Sequence, residues 1–485
     1  MSKSFSVGEN IANLRSSQPS WAASPLARRI GVIGQLRELI AAKAPQFAAE
    51  AAPLLGKSQA EFVASEIIPL ADACRFVEKK AEELLRPRPL GREGRPFWLM
   101  GSSATVHREP FGLILIIGPS NYPLLLPGVQ AIQALAAGNA VLVKPGQGGT
   151  LAMQWLGVLL DEAGLPPSLF EITSETVEDA KAALRDHVDK VVLTGSNETG
   201  RSILSRLSER VIPAVVELSG SDPVIVLQDA DIEMTANALA YGLRLNGSAT
   251  CIAPRRVIAV GETYAALRDV LLLRRTQITG RPASTAAVVK LTGLLRDARS
   301  GGAEIHGDFP VMGQPMIPLI IENVDLASPL ARADIFAPVL MLFQAKEIED
   351  AVAMANASPY ALGASIFGSE ATAITIASRI EAGMVCINDM IVPTADPRAS
   401  FVGRRGSGFG ATRGPDGLLE MTRPKVTFLR KGSFRPHFEP QQADEHEFLL
   451  QYLVAAHGRN WTARVIASIK ALRYMISRGM RRPHS

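Results

Sequence analysis

A single cysteine raises the first chemical question in this 485-residue sequence. Cys251 lies in NGSATCIAPRRV (246–257), between a small polar turn and an Ala-Pro-Arg run. A cysteine thiolate is a strong nucleophile, whereas most buried thiols simply pack as small apolar side chains. Considered alone, Cys251 is compatible with either role, so neighbouring chemistry has to decide between them.

Two other side chains could assist such a nucleophile. Glu217 ends the apolar run of VVELSG (215–220), where a carboxylate is unusual unless it is paired or functional. Asn121 lies between two prolines in GPSNYP (118–123). Asparagine is an ordinary turn residue, but its amide can also donate a hydrogen bond to an oxyanion. Both residues therefore have a structural and a catalytic interpretation.

Two further segments have the chemistry of a nucleotide site. VVLTGSNETGR (191–201) is typical of a strand, a turn and a helix start. Gly195 and Gly200 permit close backbone approach there, and Ser196 can cap a helix whose amides face a phosphate. The segment lacks the G-x-G-x-x-G pattern, so an ordinary strand–helix turn is the alternative. Lys144 ends the buried strand of VLVKPGQ and suits a ribose or phosphate, or simply a solvated strand end.

The apolar pattern predicts the scaffold that positions these residues. Helices are predicted over 25–86, and short Val-, Ile- and Leu-rich runs then alternate with amphipathic stretches. This alternation is typical of parallel, doubly wound α/β sheets, which bind ligands at the carboxyl ends of their strands. The predicted strands are 112–118, 139–144, 168–172, 189–195 and 212–218, followed by 223–227, 256–260, 318–322, 338–343, 363–368, 384–388 and 425–432.

Composition and charge narrow the class of protein. With 47% hydrophobic and 20% charged residues, the chain is an ordinary folded globular protein. Its three cysteines (Cys74, Cys251 and Cys386) are far apart, so we expect neither disulfides nor a metal site, and a cytoplasmic location fits. The chain has a net charge of +4. Residues 434–485 contain eight Lys/Arg and four Asp/Glu and account for all of it, so the rest of the chain has no net charge. A nucleic-acid surface on the main body is therefore not expected.

One long uncharged stretch could be mistaken for a membrane span. It runs from Glu109 to Lys144, but proline, asparagine and glutamine residues interrupt it. A membrane-spanning helix needs about 20 predominantly apolar residues with every backbone group satisfied. We therefore expect a buried strand, a loop and a helix here. The N-terminus also lacks the basic-then-apolar pattern of a secretory signal.

Taken in order, these motifs resemble the aldehyde dehydrogenase superfamily over residues 25–432. GPSNYP resembles the family's asparagine turn, AAGNAVLVKP its lysine strand, LTGSNETGR its phosphate turn and ELSGSDPVIVLQDADI its glutamate segment. NGSATCIAP resembles its nucleophile loop, in the form found in the branch that contains fatty aldehyde dehydrogenases. ADIFAPVL, YALGASIF, AGMVCIND and GSGFGATRGPDGLLEMTRPK continue the similarity. Each motif is modest, but the collinear set is specific.

The resemblance implies a fold and an assembly. The expected fold is α/β, with a Rossmann-type dinucleotide-binding domain, an α/β catalytic domain and a small oligomerisation β-sheet, in a homodimer. The corresponding boundaries are 1–96 with 110–218 for the dinucleotide-binding domain, 219–405 for the catalytic domain, 97–109 with 420–432 for the oligomerisation strands, and 433–485 for a basic tail.

The resemblance also implies a role for each candidate residue. Cys251 attacks a small-molecule aldehyde, Glu217 activates the water that releases the acid, and Asn121 holds the oxyanion with the Cys251 amide. NAD or NADP is the implied cofactor. Its implied ligands are Lys144 and Gln147 at the adenosine ribose, Gly195, Ser196 and Gly200 at the pyrophosphate, and Asp334 and Phe336 at the nicotinamide end.

Several residues depart from the family pattern without removing a reacting group. Ser248 and Ala249 replace the usual Gly-Gln before the cysteine, and Ser120 replaces a tryptophan. Asp334 is one methylene shorter than the usual glutamate. Gln147 replaces a glutamate near the adenosine ribose, and an amide repels a 2′-phosphate less than a carboxylate does. We therefore expect activity with both cofactors.

The C-terminal segment predicts a basic amphipathic helix. One face contains Trp461, Val465, Ile469, Leu472 and Ile476, and no acidic residue follows Glu447. Such helices bind anionic membrane surfaces, so peripheral membrane association is one expectation. Packing against the same subunit or against a dimer partner is the alternative.

The sequence thus predicts an NAD(P)-dependent enzyme that oxidises an apolar aldehyde, long-chain ones included. The first alternative is an acylating, CoA-linked enzyme on the same fold, which needs no water-activating glutamate, so Glu217 argues against it. The second is a membrane-surface binding protein with a degraded active site, which only Ser248 and Ala249 support.

Overall fold

The computed structural model describes residues 6–99, 101–433, 435–438, 440 and 444–480. Two compact units divide the chain. The first combines Met1–Pro89 with Thr105–Thr427, and the second combines Leu90–Ala104 with Phe428–Ser485.

The α-helices carry the labels used below. They are α1 (Val7–Ala23), α2 (Leu26–Leu54), α3 (Gln59–Phe62), α4 (Ile68–Leu85), α5 (Leu125–Ala136), α6 (Thr150–Glu162), α7 (Val177–Arg185), α8 (Asn197–Ser208), α9 (Ile232–Arg244), α10 (Thr263–Arg275), α11 (Thr285–Ser300), α12 (Ile348–Asn356), α13 (Glu370–Ala377), α14 (Gly414–Glu420), α15 (Glu445–His457) and α16 (Trp461–Met480).

The strands are numbered in the same way. They are β1 (Arg88–Pro89), β2 (Ser102–Pro110), β3 (Leu113–Ile117), β4 (Ala140–Lys144), β5 (Phe170–Ile172), β6 (Lys190–Thr194), β7 (Ala214–Glu217), β8 (Asp222–Val226), β9 (Pro254–Val260), β10 (Arg281–Pro282), β11 (Glu304–His306), β12 (Pro315–Met316), β13 (Leu319–Glu322), β14 (Val339–Ala345), β15 (Tyr360–Ala361), β16 (Gly363–Phe367), β17 (Met384–Ile387), β18 (Phe401–Val402), β19 (Arg404–Arg405), β20 (Gly408–Phe409), β21 (Ala411–Arg413) and β22 (Thr422–Arg430).

The first large sheet has the strand order β20-β7-β6-β3-β4-β5. The strands β3 to β7 are parallel, and β20 is antiparallel to β7 at one edge. The chain runs outward from β3 through β4 and β5 and then crosses to β6 and β7, so the strand order reverses beside β3. In open α/β sheets, the crevice at such a reversal is where ligands bind. The predicted doubly wound sheet is confirmed.

The second large sheet has the strand order β11-β13-β14-β9-β8-β16-β17. All neighbouring pairs are parallel except β11 with β13. Helices α9 and α10 share one apolar cluster with this sheet, and α11, α12 and α13 share another. The strands predicted in this half of the chain are confirmed, with end positions that differ by a few residues.

The uncharged stretch before Lys144 folds as expected, into strand β3, a loop, helix α5 and strand β4. Every residue of α5 and β3 is buried, because α4, α6 and the sheet surround them. Burial on all sides explains why polar residues are so sparse here. Among the helices of the described residues, none combines the length and apolar content that crossing a bilayer requires.

The second unit contains a hairpin of two helices, α15 and α16. The rings of Phe448 and Tyr474 stack with centroids 4.7 Å apart, and Ala467 and Ala471 are buried. The helix predicted for the C-terminal segment is therefore confirmed. In the part of the chain that the structure describes, the apolar side chains predicted for one face of α16 are exposed, namely Trp461, Val465, Ile469, Leu472 and Ile476.

Candidate active site

The structure brings the cysteine and the glutamate together. Cys251 follows α9 and a short 3₁₀ turn and precedes β9. Its Sγ lies 3.6 Å from Oε1 of Glu217, at the end of β7. The other carboxylate oxygen of Glu217 accepts a hydrogen bond of 3.1 Å from the Thr412 hydroxyl on β21. The thiol and carboxyl groups are thus close enough to exchange a proton.

Burial dominates the electrostatics of this pair. It raises the pKa of the Cys251 thiol well above its usual value, and the carboxylates of Glu217 and Asp222 add to this effect. Burial also raises the pKa of Glu217, against the opposing influence of Arg413 and Thr412. A carboxyl group with a raised pKa can accept and release a proton near neutral pH.

The loop before Cys251 has a strained backbone. Asn246, Gly247 and Ser248 all have positive φ angles, of 50°, 60° and 63°. Glycine adopts this conformation easily, whereas a serine there costs about 1–2 kcal/mol. The guanidinium of Arg255 donates to the Ser248 hydroxyl over 2.7 Å and also to its carbonyl oxygen. A serine in place of the family's glycine is therefore held by the arginine of the CIAPR motif.

Close backbone contact joins the glutamate segment to the nucleophile loop. A Cβ atom added to Gly220 would lie 2.2 Å from the carbonyl oxygen of Cys251. A side chain at Gly220 would thus force the two segments apart and lengthen the distance between Cys251 and Glu217. Glycine at this position has a steric explanation that the sequence alone did not reveal.

Asn121 contacts the nucleophile loop on another side. Its side-chain Nδ2 donates to the backbone carbonyl oxygen of Ala249 over 3.0 Å. The backbone carbonyl oxygen of Asn121 accepts a hydrogen bond from Asn246 Nδ2 over 2.9 Å. The next residue, Tyr122, forms a buried hydroxyl–hydroxyl hydrogen bond of 2.7 Å with Thr250. Because an amide nitrogen has a second hydrogen, Asn121 can still donate to a bound oxyanion.

A buried ion pair lies behind the asparagine turn. Lys57 Nζ is 2.7 Å from Oε1 of Glu66, and both side chains are almost fully buried. The same ammonium donates to the Asn121 carbonyl oxygen over 3.1 Å and lies 4.7 Å from the centre of the Tyr122 ring. The other oxygen of Glu66 accepts the amides of Leu124 and Leu125, at the start of α5.

The turn that contains Glu66 is a π-helical segment, Val63–Ile67, between α3 and α4. Such π-turns are frequent at functional sites. The ion pair therefore connects this helical layer to the asparagine turn. Nothing in the sequence indicated the pairing, because both residues lie in a stretch predicted only as helical.

A cavity of about 470 Å³ leads to the reactive pair. Its wall includes Cys251 and Glu217 together with many apolar side chains. The apolar members that matter for a substrate are Leu125, Leu126, Ile252, Ile391, Val392 and Phe401. Three arginines also line it, of which Arg281 is paired with Glu61. The cavity can therefore hold an apolar molecule against the thiol.

The lysine predicted for the adenosine ribose lies at the carboxyl end of β4. Burial lowers the pKa of Lys144, while the nearby Glu175 carboxylate acts in the opposite direction. Gln147 is exposed. Glu175 follows β5 and accepts hydrogen bonds from the amides of Gly148 and Thr150, over 2.8 and 3.0 Å, at the start of α6. Glu175 is not among the residues predicted from the sequence, although its position just after a parallel strand is a usable signal.

The phosphate turn has the predicted local structure. The Ser196 hydroxyl caps α8 by accepting from the Thr199 amide over 3.1 Å. A Cβ atom added to Gly200 would lie 2.7 Å from the side chain of Leu218, so glycine allows α8 to start close to the glutamate segment. A capped helix start at the carboxyl edge of a parallel sheet is a geometry that fits a pyrophosphate.

Asp334 and Phe336 lie in the segment before β14. Burial raises the pKa of Asp334, against the opposing influence of the nearby Ser219 hydroxyl. Since Ser219 lies two residues beyond Glu217, Asp334 is near the glutamate segment. Phe336 is partly buried, and the neighbouring Ala337 carbonyl accepts from Arg255 over 3.0 Å.

Comparison with known proteins agrees with this geometry. Residues 2–427 match the aldehyde dehydrogenase family. The chain belongs to this family. As a member, it is an oxidoreductase that acts on aldehydes.

Three relatives illustrate the similarity. The 4,4′-diapolycopene aldehyde oxidase of Methylomonas sp is 25% identical over 472 residues, which cover 95% of this chain and 89% of that protein. The geranial dehydrogenase of Castellaniella defragrans is 32% identical over 376 residues, which cover 73% of this chain and 75% of that protein. The NAD-dependent aldehyde dehydrogenase of Sinorhizobium meliloti is 27% identical in sequence. Its crystal structure matches this one with a TM-score of 0.83, and the match covers 89% of this chain and 88% of that one.

Removal of the Lys57 ammonium should misplace the asparagine turn. Lys57→Met leaves the Glu66 carboxylate buried without its cation, which typically costs about 3–5 kcal/mol. We expect a lower free energy of unfolding in urea and a kcat at least tenfold lower in the fraction that folds. The control is Lys43→Met, which breaks an exposed ion pair with Glu162 and should cost at most ~1 kcal/mol. Equal stability and kcat in the two variants would contradict the assignment.

Proposed function

We propose that this enzyme oxidises an apolar aldehyde to the carboxylic acid with NAD or NADP as hydride acceptor. The observation that carries the proposal is the 3.6 Å separation of the Cys251 thiol and the Glu217 carboxyl group, at the wall of a largely apolar cavity. In the overall reaction, aldehyde, NAD(P)⁺ and water give the carboxylic acid, NAD(P)H and one proton.

The first step is addition of the thiol to the aldehyde. The Cys251 sulfur forms a bond to the carbonyl carbon and loses its proton, which Glu217 can accept across 3.6 Å. The carbonyl oxygen becomes an oxyanion, to which Asn121 and the Cys251 amide donate hydrogen bonds. Loss of one such donor typically lowers kcat by ~10²–10³.

NAD(P)⁺, held by the residues assigned below, would accept the hydride from the former aldehyde carbon, so that the acyl group remains as a thioester on Cys251. Glu217 releases the thiol proton to solvent, which is the proton that appears in the overall reaction. The carboxylate can then remove a proton from water, whose oxygen attacks the thioester carbon. The C–S bond breaks, the acid leaves, and the thiol regains a proton. Glu217 therefore serves both halves of the reaction in this proposal.

The residues assigned to the adenosine ribose and the pyrophosphate lie at or just after the carboxyl ends of strands β4 and β6 of the first sheet. We assign Lys144 and Gln147 to the adenosine ribose, and Gly195, Ser196 and Gly200 to the pyrophosphate. The capped start of α8 and the space left by Gly200 support this assignment. Asp334 and Phe336, in the segment before β14, are assigned to the nicotinamide end, which the proximity of Asp334 to Ser219, two residues beyond Glu217, supports.

The apolar substrate is supported by two independent observations. The cavity wall is rich in leucine, isoleucine and valine side chains, so an extended hydrocarbon gains free energy there of roughly 25 cal/mol per Å² buried. Two relatives are named for diapolycopene aldehyde and for geranial. The acylating alternative needs no water-activating carboxylate, and Glu217 beside the thiol favours hydrolysis instead.

Cysteine substitutions test the nucleophile. Cys251→Ala should abolish aldehyde-dependent NAD(P)H formation, because no other side chain supplies the sulfur. Cys386→Ala and Cys74→Ala should keep most of the activity, since those thiols lie elsewhere in the fold, on β17 and in α4. The measurement is steady-state absorbance at 340 nm with purified, folded variants. The assignment is contradicted if all three variants lose activity alike, or if Cys251→Ala keeps its activity.

Cofactor choice should depend on Glu175. Gln147 does not repel a 2′-phosphate, so we expect activity with both NAD and NADP, but the Glu175 carboxylate near Lys144 opposes a second anion. Glu175→Gln should therefore raise kcat/KM for NADP about tenfold relative to NAD. Glu178→Gln, an exposed carboxylate paired with Lys181, is the matched control. If the ratio of kcat/KM for NADP to kcat/KM for NAD is the same in Glu175→Gln as in the wild type, Glu175 has no role in cofactor choice.

The C-terminal hairpin is proposed to bind anionic lipid surfaces and bring the cavity close to apolar aldehydes. The exposed apolar face of α16 and its basic side chains support this. Each Lys or Arg near such a surface contributes about 1 kcal/mol at low salt. The homodimer expected from the resemblance stays a prediction, and α16 as a dimer contact is the alternative.

A flotation assay with phosphatidylserine vesicles at low salt tests the lipid proposal. The full chain should float, and Lys470→Gln with Arg473→Gln should weaken flotation. Arg75→Gln with Lys79→Gln, exposed residues of α4, should not. If the full chain remains at the bottom of the gradient while the vesicles float, α16 does not bind lipid.

A further inference from the structure

Arg413 lines the catalytic cavity, and the proposed reaction assigns it no role. It ends β21 and lines the cavity that contains Cys251 and Glu217. Its Nε is buried and has no hydrogen-bond partner among the described residues. A buried donor atom without a hydrogen-bond partner is costly, so it calls for an explanation.

The position of the guanidinium is fixed by strand pairing. Arg413 lies opposite Phe401 in the register of β21 with β18, and its guanidinium stacks 4.3 Å from the centre of the Phe401 ring. The same segment is attached to the catalytic carboxyl group. Gly408 pairs with Glu217 across β20 and β7, and Thr412 donates to the Glu217 carboxylate.

The charged and titratable groups that face the thiol come from several elements. Glu217 and Asp222 are the acidic groups, and Tyr122 is neutral because its pKa is raised by burial. Arg255 and Arg413 are the cations that act on Cys251. Arg255 is engaged by Ser248 and Ala337. Of these two cations, Arg413 is therefore the one whose Nε has no hydrogen-bond partner among the described residues.

We propose that Arg413 is a positioning residue whose guanidinium stabilises the single negative charge that Cys251 and Glu217 share. Either the thiolate with a neutral carboxyl group, or the thiol with a carboxylate, carries one negative charge. A proton moves between these states across 3.6 Å, and the cation stabilises both. Without it, the buried pair loses this charge at a given pH. The proposal rests on the role of Cys251 as nucleophile.

The alternative, that Arg413 binds an anionic group of the substrate, is less well supported. Phe401 covers a face of the guanidinium, and the adjoining wall contains Leu125 and Leu126. An apolar aldehyde supplies no anion to this side chain. By contrast, Arg413 directly follows Thr412, whose hydroxyl donates to Glu217, and it lines the same cavity as both catalytic groups.

The test is alkylation of the free protein by iodoacetamide as a function of pH, followed at Cys251 by peptide mass spectrometry. This readout needs no cofactor or aldehyde. In Arg413→Met, the midpoint should move up by about one pH unit, so that alkylation at pH 7 is about tenfold slower. Arg413→Lys keeps the charge and should stay within about threefold of the wild type. Arg244→Met, which removes another cavity arginine, should leave the midpoint unchanged.

Kinetics then separate the two roles of the guanidinium. With an apolar aldehyde, Arg413→Met should lower kcat with little change in KM, since the pair and not the substrate is affected. An unshifted alkylation midpoint in folded Arg413→Met overturns the proposal, as does a raised KM with unchanged kcat. Failure of the proposed function looks different, because Cys251→Ala would then keep its activity while the alkylation midpoint still shifts.

Discussion

The buried ion pair between Lys57 and Glu66 is the interaction on which the geometry of the active site depends. It joins the π-turn before α4 to the start of α5, and it holds the carbonyl of Asn121. Asn121 in turn contacts the backbone before Cys251. One ammonium and one carboxylate thus connect the helical layer to the nucleophile loop. Since both charges are inaccessible to water, neither can leave the contact cheaply.

Burial governs the electrostatics of the catalytic pair. Burial disfavours the ionised forms of Cys251 and Glu217 alike, so a single proton and a single negative charge suit the pair better than two anions. The arginines around it have separate tasks. Arg255 keeps the strained loop at Ser248 in place, and Arg413 has no competing hydrogen bond among the described residues. Loop geometry and charge are therefore controlled by different side chains.

Local pattern was sufficient to predict the scaffold. Strands β3, β4 and β6 are short and almost wholly apolar because helices cover both faces of the sheet, and such runs are visible in the sequence. Glu217 and Asn121 were found because each is a polar side chain in an apolar or uncharged stretch, and Cys251 because it lies between a small polar turn and an Ala-Pro-Arg run. Their order along the chain matched a known family, which supplied roles that the residues alone left open.

The interactions that the sequence did not reveal are the long-range ones. Lys57 reaches a carbonyl 64 residues further along the chain, and Glu175 reaches amides 25 and more residues before it. Pairings of this kind depend on tertiary packing, for which periodicity carries no signal. The left-handed backbone at Ser248 was also unforeseeable, because a serine does not indicate a positive φ. Its stabilising partner, Arg255, becomes recognisable only in the folded loop.

The central claim is that Cys251 carries the acyl group and Glu217 releases it. It is tested most directly by mixing the Glu217→Gln variant with excess aldehyde and NAD(P)⁺, quenching in acid, and mapping the adduct by mass spectrometry. Without the carboxylate, which raises the pKa of Cys251, the thiol can lose its proton to solvent, so acylation should be slower than in the wild type but still outpace release of the acid. We expect one acyl group per subunit on the peptide that contains Cys251, together with about one NAD(P)H per subunit. An adduct on another residue would contradict this expectation. So would NAD(P)H formation that continues at an undiminished steady-state rate without any adduct.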